Sequence, residues 1–410
     1  MNLTKKSREL MLFFSKNKHL NYSNQTNKTN IILRELYNVI HEAYNYCKKI
    51  HYKTSIKKIL TASQVIKPLN FSSKSFPEIV RTHIDESMLS EITFSFSLND
   101  RNTKVYFVVE NDNVELEIGL YNRYMESISM WLYILNKYSS KECAKTLKVY
   151  FYFSSLEKNL PNSNIHILDE INVNTAFTTT CPRDSEIVVF RKEEWFKVFI
   201  HETFHNFGLD FSMMNNDDIN NCILHIFKVN SKVNSYEAYT EFWAEIMNAL
   251  FCSFHNLKDK SNINEFFSNA EVYINFERTY SFFQLAKILE FMGLKYSDLY
   301  SNSKHSQIIR DNLYKENTNV LAYYVIKCVL VNNYQGFLSW CSKNNSPLLD
   351  FKKTIETQLH FCKFIEKNYK THSMLNGIQE SELFLSKIKK KKGNNNFILS
   401  NLRMSICELG

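Results

Sequence analysis

Apolar positions along this chain change spacing several times, and each change marks an element. Over residues 31–65, with the pattern ILRELYNVIHEAYNYCKKI, they recur at three and four and predict a helix, which Pro68 brings to an end. Residues 1–30 are polar, Asn-rich between 21 and 30, and read as loosely ordered. EITFSFSL (91–98) alternates apolar and polar, KVYFVVE (104–110) is β-branched and aromatic, and LNDRNT between them suits a hairpin. A long helix is expected over 114–138, then a strand at LKVYFYF (147–153) and a short one at NIHIL (164–168). AFTTTC (176–181) reads as extended, and the strand EIVVFR (186–191) runs almost directly into a helix over 193–207. Gly208 stands where a left-handed helix cap is expected. Helices follow over 236–254, 263–292 and onward to about 390, and the apolar NFILSNLRMSICEL comes after a basic, Asn-rich tether. The pattern is that of an α+β protein with helical regions at both ends.

Composition removes several function classes. Of 410 residues, 44% are hydrophobic, which suits a folded chain with a sizeable core. Only 7 Gly and 5 Pro are present. No glycine-rich loop can cradle a phosphate, so nucleotide-binding loops are excluded, and turn residues are too few for an all-β sandwich. Nine cysteines stand singly, with no CxxC pair, so neither a disulfide framework nor a zinc ribbon is expected. Reduced thiols in an intracellular compartment are the expectation, and no leader or membrane-spanning run is read in the sequence. Much of the net charge of +8 lies in Lys387-Ile388-Lys389-Lys390-Lys391-Lys392, which reads as a solvated linker. Lacking interleaved aromatics, that run does not argue for nucleic-acid binding.

The chemistry gathers on the helix over 193–207. His201 and His205, four residues apart, present two imidazoles on one helical face, close enough for one metal ion. Glu202, beside the first, is angled toward a water polarised by that ion and can take its proton. Val198, Phe199, Ile200, Phe204 and Phe207 let the rest of the helix be buried. Two histidines need a third ligand, and Glu237, Glu241 and Glu245 line one face of the next helix at intervals of four.

With these residues the chain resembles the gluzincin zinc peptidases, in which HExxH is followed by a helix bearing a glutamate ligand. The resemblance covers about residues 186–252. It implies zinc held by His201, His205 and Glu237, with Glu202 as general base and Glu241 orienting a histidine. A one-turn shift, with Glu241 as ligand and Glu245 behind it, stays open, the first register being preferred; otherwise Glu245 reads as a partly solvated helix position. Gly208 invites comparison with metzincins, but Phe211 stands where their third histidine would be, and Asp210 is one residue off. An oxyanion donor is expected among Tyr236, Tyr239, His225, His255 and Tyr280, with Tyr280 chosen. EIVVFR is the candidate edge strand against which a peptide would lie. VNTAFTTTC, IVVFRKEEWFKVFIHETFHNFGLDFS and YEAYTEFWAEIMNAL are also similar to uncharacterised metallopeptidase-like proteins of large DNA viruses.

The resemblance implies a zincin-like catalytic domain over 71–300, preceded by a helical region (1–70) and followed by a helical region ending in the basic tether (301–392) and an apolar tail (393–410). The expected activity is hydrolysis of a peptide or protein substrate by zinc-activated water. The rival is a catalytically silent zincin-like structural or interaction protein, such as a virion component; the intact Glu202 favours the enzyme. The tail is expected to dock on the folded body, by packing among the helices in preference to insertion in the cleft.

Overall fold

A computed structural model describes residues 2–20, 22–391 and 396–410. Among them are fifteen α-helices and one six-stranded mixed sheet. The strands are β1 (Lys53–Lys58), β2 (Ser90–Leu98), β3 (Arg101–Val109), β4 (Thr146–Phe153), β5 (Ala176–Thr178) and β6 (Asp184–Val189), in the spatial order β1-β2-β3-β4-β6-β5. β3, β4 and β6 run parallel; β1, β2 and β5 complete the sheet by antiparallel pairing.

The hairpin forms, with a tighter turn than its linker suggested. Asn99 and Asp100 both take positive φ, and Arg101, Asn102 and Thr103 join β3. Two residues at positive φ match the twist of the flanking strands. Parallel pairing of β3 with β4 requires a crossover, supplied by the helix Ile118–Tyr138. Both faces of the sheet are covered. On one, Phe107 stacks on Phe151, which packs on Trp195 and Phe199. On the other, Tyr106, Tyr150, Tyr152, Val188 and Phe190 meet Val65, Phe76, Val80 and Ile84. Burial on both faces explains why β4 reads as a nearly continuous apolar run.

Several expected elements differ. The helix expected over 31–65 ends at Cys47, and Lys53–Lys58 pairs with β2. β1 is almost wholly exposed at the sheet edge, so no apolar alternation marked it. Lys5–Lys16 is a helix capped by Thr4, with Leu10, Met11 and Phe14 buried on one face, where loose order was expected. No strand forms at NIHIL; only Leu168 makes an isolated bridge, to Glu316. EIVVFR contributes to β6, which lies inside the sheet between β4 and β5, so the edge strand on that side is β5. The lysine run starts inside the helix His372–Lys390, while residues 392–395 of the tether lie outside the described residues.

Two cysteine pairs are bonded, Cys143–Cys181 and Cys222–Cys362, 38 and 140 residues apart, and the other five thiols are buried and free. This corrects the expectation of nine single thiols. The pairs are made by tertiary approach, and no local spacing could announce them. One continuous core reaches from Leu10 to Leu409, through all four expected segments. No helix of the described residues is long and apolar enough to cross a membrane.

Candidate metal centre

All twelve residues of the motif helix, Trp195–Asn206, are buried. Its start is set by Glu194 in the left-handed conformation and its end by Gly208 at φ +66°. Gly208 N donates to His205 O (3.0 Å) and Leu209 N to Phe204 O (2.8 Å), which closes the helix with a glycine cap. Trp131 on the crossover helix donates to Thr203 Oγ1 at 2.7 Å, locking the rotation of the helix against the sheet layer. The facing helix, Ser235–His255, is buried at every position but Tyr236.

Between these helices lies one cluster of possible metal ligands, His201, His205 and Glu237, all buried. His201 Nε2 is 3.1 Å and His205 Nε2 3.4 Å from Glu237 Oε2, and the two Nε2 atoms are 3.2 Å apart. Tetrahedral coordination with bonds of about 2.0–2.1 Å places ligand atoms about 3.3 Å from one another. The three atoms therefore have the spacing of three corners of such a site. The other ring nitrogens are held by carboxylates: His201 Nδ1 by Glu241 Oε2 at 2.8 Å, and His205 Nδ1 by Asp210. With Nδ1 of each ring donating, both Nε2 lone pairs are turned inward. Of the two glutamate registers, the geometry is that of the first. Glu245 is not solvated but fully buried, its carboxylate 2.9 Å from Lys327 Nζ.

Charge explains the titration behaviour. Burial opposes protonation of His201, but hydrogen bonds to Glu237 and Glu241 outweigh it and raise its pKa. Asp210 and Glu237 raise His205 further against the same opposition. Burial would push Glu237 and Glu241 up; His205 and His201 hold Glu237, and Lys197 and then His201 hold Glu241, far below the ordinary carboxylate range. The two histidines with Glu237, Glu241 and Asp210 are thus a receptacle for positive charge, whether protons or a metal ion. Burial raises Glu202, which makes it a better proton acceptor than a surface glutamate.

The cluster opens on a cleft of about 660 Å³ lined by Ala176, Phe177 and Thr178 of β5, by His201, Glu202, His205 and Glu237, and by Tyr323. A small recess of about 40 Å³ lies beside His201 and Glu202, walled by Val173, Val198 and Met404. Tyr323, on the π-helical turn Leu321–Ile326, donates to Glu237 Oε2 at 2.9 Å. Such turns are frequent at functional sites. Tyr280 is not brought to the cluster. Its hydroxyl accepts from Gln284 Nε2 at 2.8 Å and its ring packs on Phe14 and Phe283. Neither are Tyr239, which donates to Leu349 O, nor His255, which meets Ser127. Tyr236 lies edge-on to His205. Sequence reasoning missed Asp210 and Tyr323. Asp210 had a signal, a carboxylate two residues past the helix-ending Gly208; Tyr323, inside the apolar LAYYVI, had none.

Comparison of the chain with protein-family models, with curated proteins and with solved structures finds no match.

Proposed function

We propose that this chain is a zinc metallopeptidase of the zincin type, with His201, His205 and Glu237 as metal ligands. The observation that supports this most is the convergence of those three ligand atoms at tetrahedral spacing with Glu202 on the same cleft wall. Zinc in that position supplies a Lewis acid that makes water nucleophilic near neutral pH. Glu202 takes the proton of the attacking water and passes it to the leaving amine. Tyr323, whose hydroxyl already reaches the ligand carboxylate, turns to donate to the oxyanion that develops at the scissile carbonyl. β5 is the edge strand that lines the cleft, and an extended peptide lying there can add to it as a further strand.

Metal analysis and a peptide library test the reading together. Wild type loaded with zinc is expected to hold one ion per chain and to cleave peptides, Glu202→Gln to keep zinc and lose at least 100-fold in rate, on the order of general-base contributions, and His201→Ala to lose most zinc. Absence of zinc in the loaded wild type would refute the site. Zinc held without turnover of any peptide would favour the catalytically silent structural protein.

A further inference from the structure

The apolar tail is buried in the body of the protein, and its contacts lead back to the metal cluster. Leu402, Met404, Ile406, Cys407 and Leu409 are each at most 4% exposed. Met404 N and Ser405 N both donate to Glu194 Oε1, at 2.8 and 2.6 Å, and Glu408 Oε1 accepts from Glu194 N at 2.7 Å. Glu194 is the residue from which the motif helix starts. Its carboxylate is held by Lys158 and lies 3.8 Å from Lys197 Nζ. Lys197 Nζ donates to Glu241 Oε1 at 2.6 Å, and the other oxygen of Glu241 accepts from His201 Nδ1. Lys197, Glu194 and Glu241 have side chains no more than 3% exposed. A row of buried groups thus runs from the tail backbone to a ligand of the cluster, through hydrogen bonds to Glu194, an ion pair from Glu194 to Lys197, and hydrogen bonds from Lys197 and His201 to Glu241.

The position of Lys197 decides what it does there. It lies four residues before His201, on the same helical face and one turn back. Glu241 is bracketed between the two. A buried carboxylate with only the imidazole as partner would keep one oxygen bare in a poorly polarisable interior, and would relieve this by rotating away. Lys197 removes that option. It balances the charge, and it fixes Oε1 so that Oε2 stays aimed at Nδ1.

We propose that Lys197 is a positioning residue of the metal centre, which fixes His201 through Glu241 and couples that ligand to the docked C-terminal segment. The proposal rests on the cluster being a zinc site and is independent of whether peptides are the substrate. Nothing in the bare spacing of HExxH and a distant glutamate requires a lysine at this place.

Zinc titrated into the full chain against a chromophoric chelator tests it. Lys197→Met keeps the length and apolar stem but loses the charge, and is expected to weaken zinc binding roughly 10- to 100-fold, the range seen when a ligand's outer partner is lost. Lys197→Arg, which keeps the charge, is expected to recover part of that loss. Cobalt substitution gives a reading that general destabilisation would not move: the visible absorption of the ion changes in Lys197→Met because His201 is reoriented. Should Lys197→Met fail to fold, the wild type still decides the coupling by linkage. Adding zinc should slow hydrogen exchange at the Met404 and Ser405 amides. Equal zinc affinity and identical cobalt spectra in a folded Lys197→Met would overturn the role of Lys197 while leaving the zinc site standing. Unchanged exchange at those two amides would overturn the coupling to the tail. A wild type that binds no zinc overturns the proposal together with the site.

Discussion

An imidazole that offers Nε2 to a cation must keep its Nδ1 proton in place, and a buried one must do so without help from water. Glu241 does this for His201 and Asp210 for His205. The second of these is the less expected. Asp210 lies just beyond the helix-ending glycine and also accepts from Ser212 N and Oγ, at 2.8 and 2.6 Å, so the turn itself holds its carboxylate still. Asp210→Ala leaves His205 free to change tautomer, and zinc affinity should fall roughly 10- to 100-fold. A chelator competition giving the wild-type constant would remove Asp210 from the site. At this scale His201, Glu202 and His205 could be picked out by chemistry and interval alone, whereas Glu237 was one of two glutamate registers that the spacing left open. Asp210 stood where a signal could be read, two residues past the helix-ending glycine, but its role is set by the turn; Tyr323 gave none, because a helix more than eighty residues away in the chain brings it in.

The two site helices engage as a charge ladder. Going up the motif helix, Lys197, His201 and His205 face Glu241 and Glu237 going down its neighbour, each carboxylate set between two basic groups. The helices therefore run antiparallel across the site. A four-residue interval on both lets successive rungs align, since each turn advances about 5.4 Å. The register depends on where the motif helix stops, and Gly208 sets that. At φ +66° a Cβ would reach Cys181 Cβ at 3.5 Å, an ordinary contact, so the cost of a side chain there is conformational. Gly208→Ala should destabilise the fold by about 1–2 kcal/mol and carry Asp210 with it, weakening metal binding as well. Denaturant unfolding indistinguishable from wild type would show that the cap does not limit the helix.

For the molecule as a whole, two histidines held neutral, the buried His255 and the half-buried His19, contribute to the response to acid. Burial lowers His255 to about 3 and, with a contribution from Lys387, His19 to about 4. In the unfolded chain both take a proton near 6.5, while the folded protein resists until far lower pH. Their contribution is complete above pH 6.5 and is lost as pH falls toward 4 and then 3. His255→Gln keeps a polar group for Ser127 but does not titrate. Its stability deficit relative to wild type should therefore shrink by about 1 kcal/mol between pH 7 and 5.5. A deficit constant across that range would mean that His255 is not held neutral.

What the sequence determined by itself was whatever depends on short intervals. The strands β2, β3 and β4, the helix Ile263–Met292, the motif helix with its glycine cap and the HExxH ligands all follow from side chains within a few positions of one another. β1 escaped because an exposed edge strand carries no apolar alternation, and β5 displaced EIVVFR from the edge because strand order is a property of the sheet, not of a strand. Tertiary structure alone decided what joins distant segments: the two disulfides, Tyr323 over the cleft, and the docking of the tail on Glu194. The physical reason is common to all three. A disulfide, a buried hydroxyl and a buried carboxylate each need one partner at close range, and only the folded chain determines which residue supplies it.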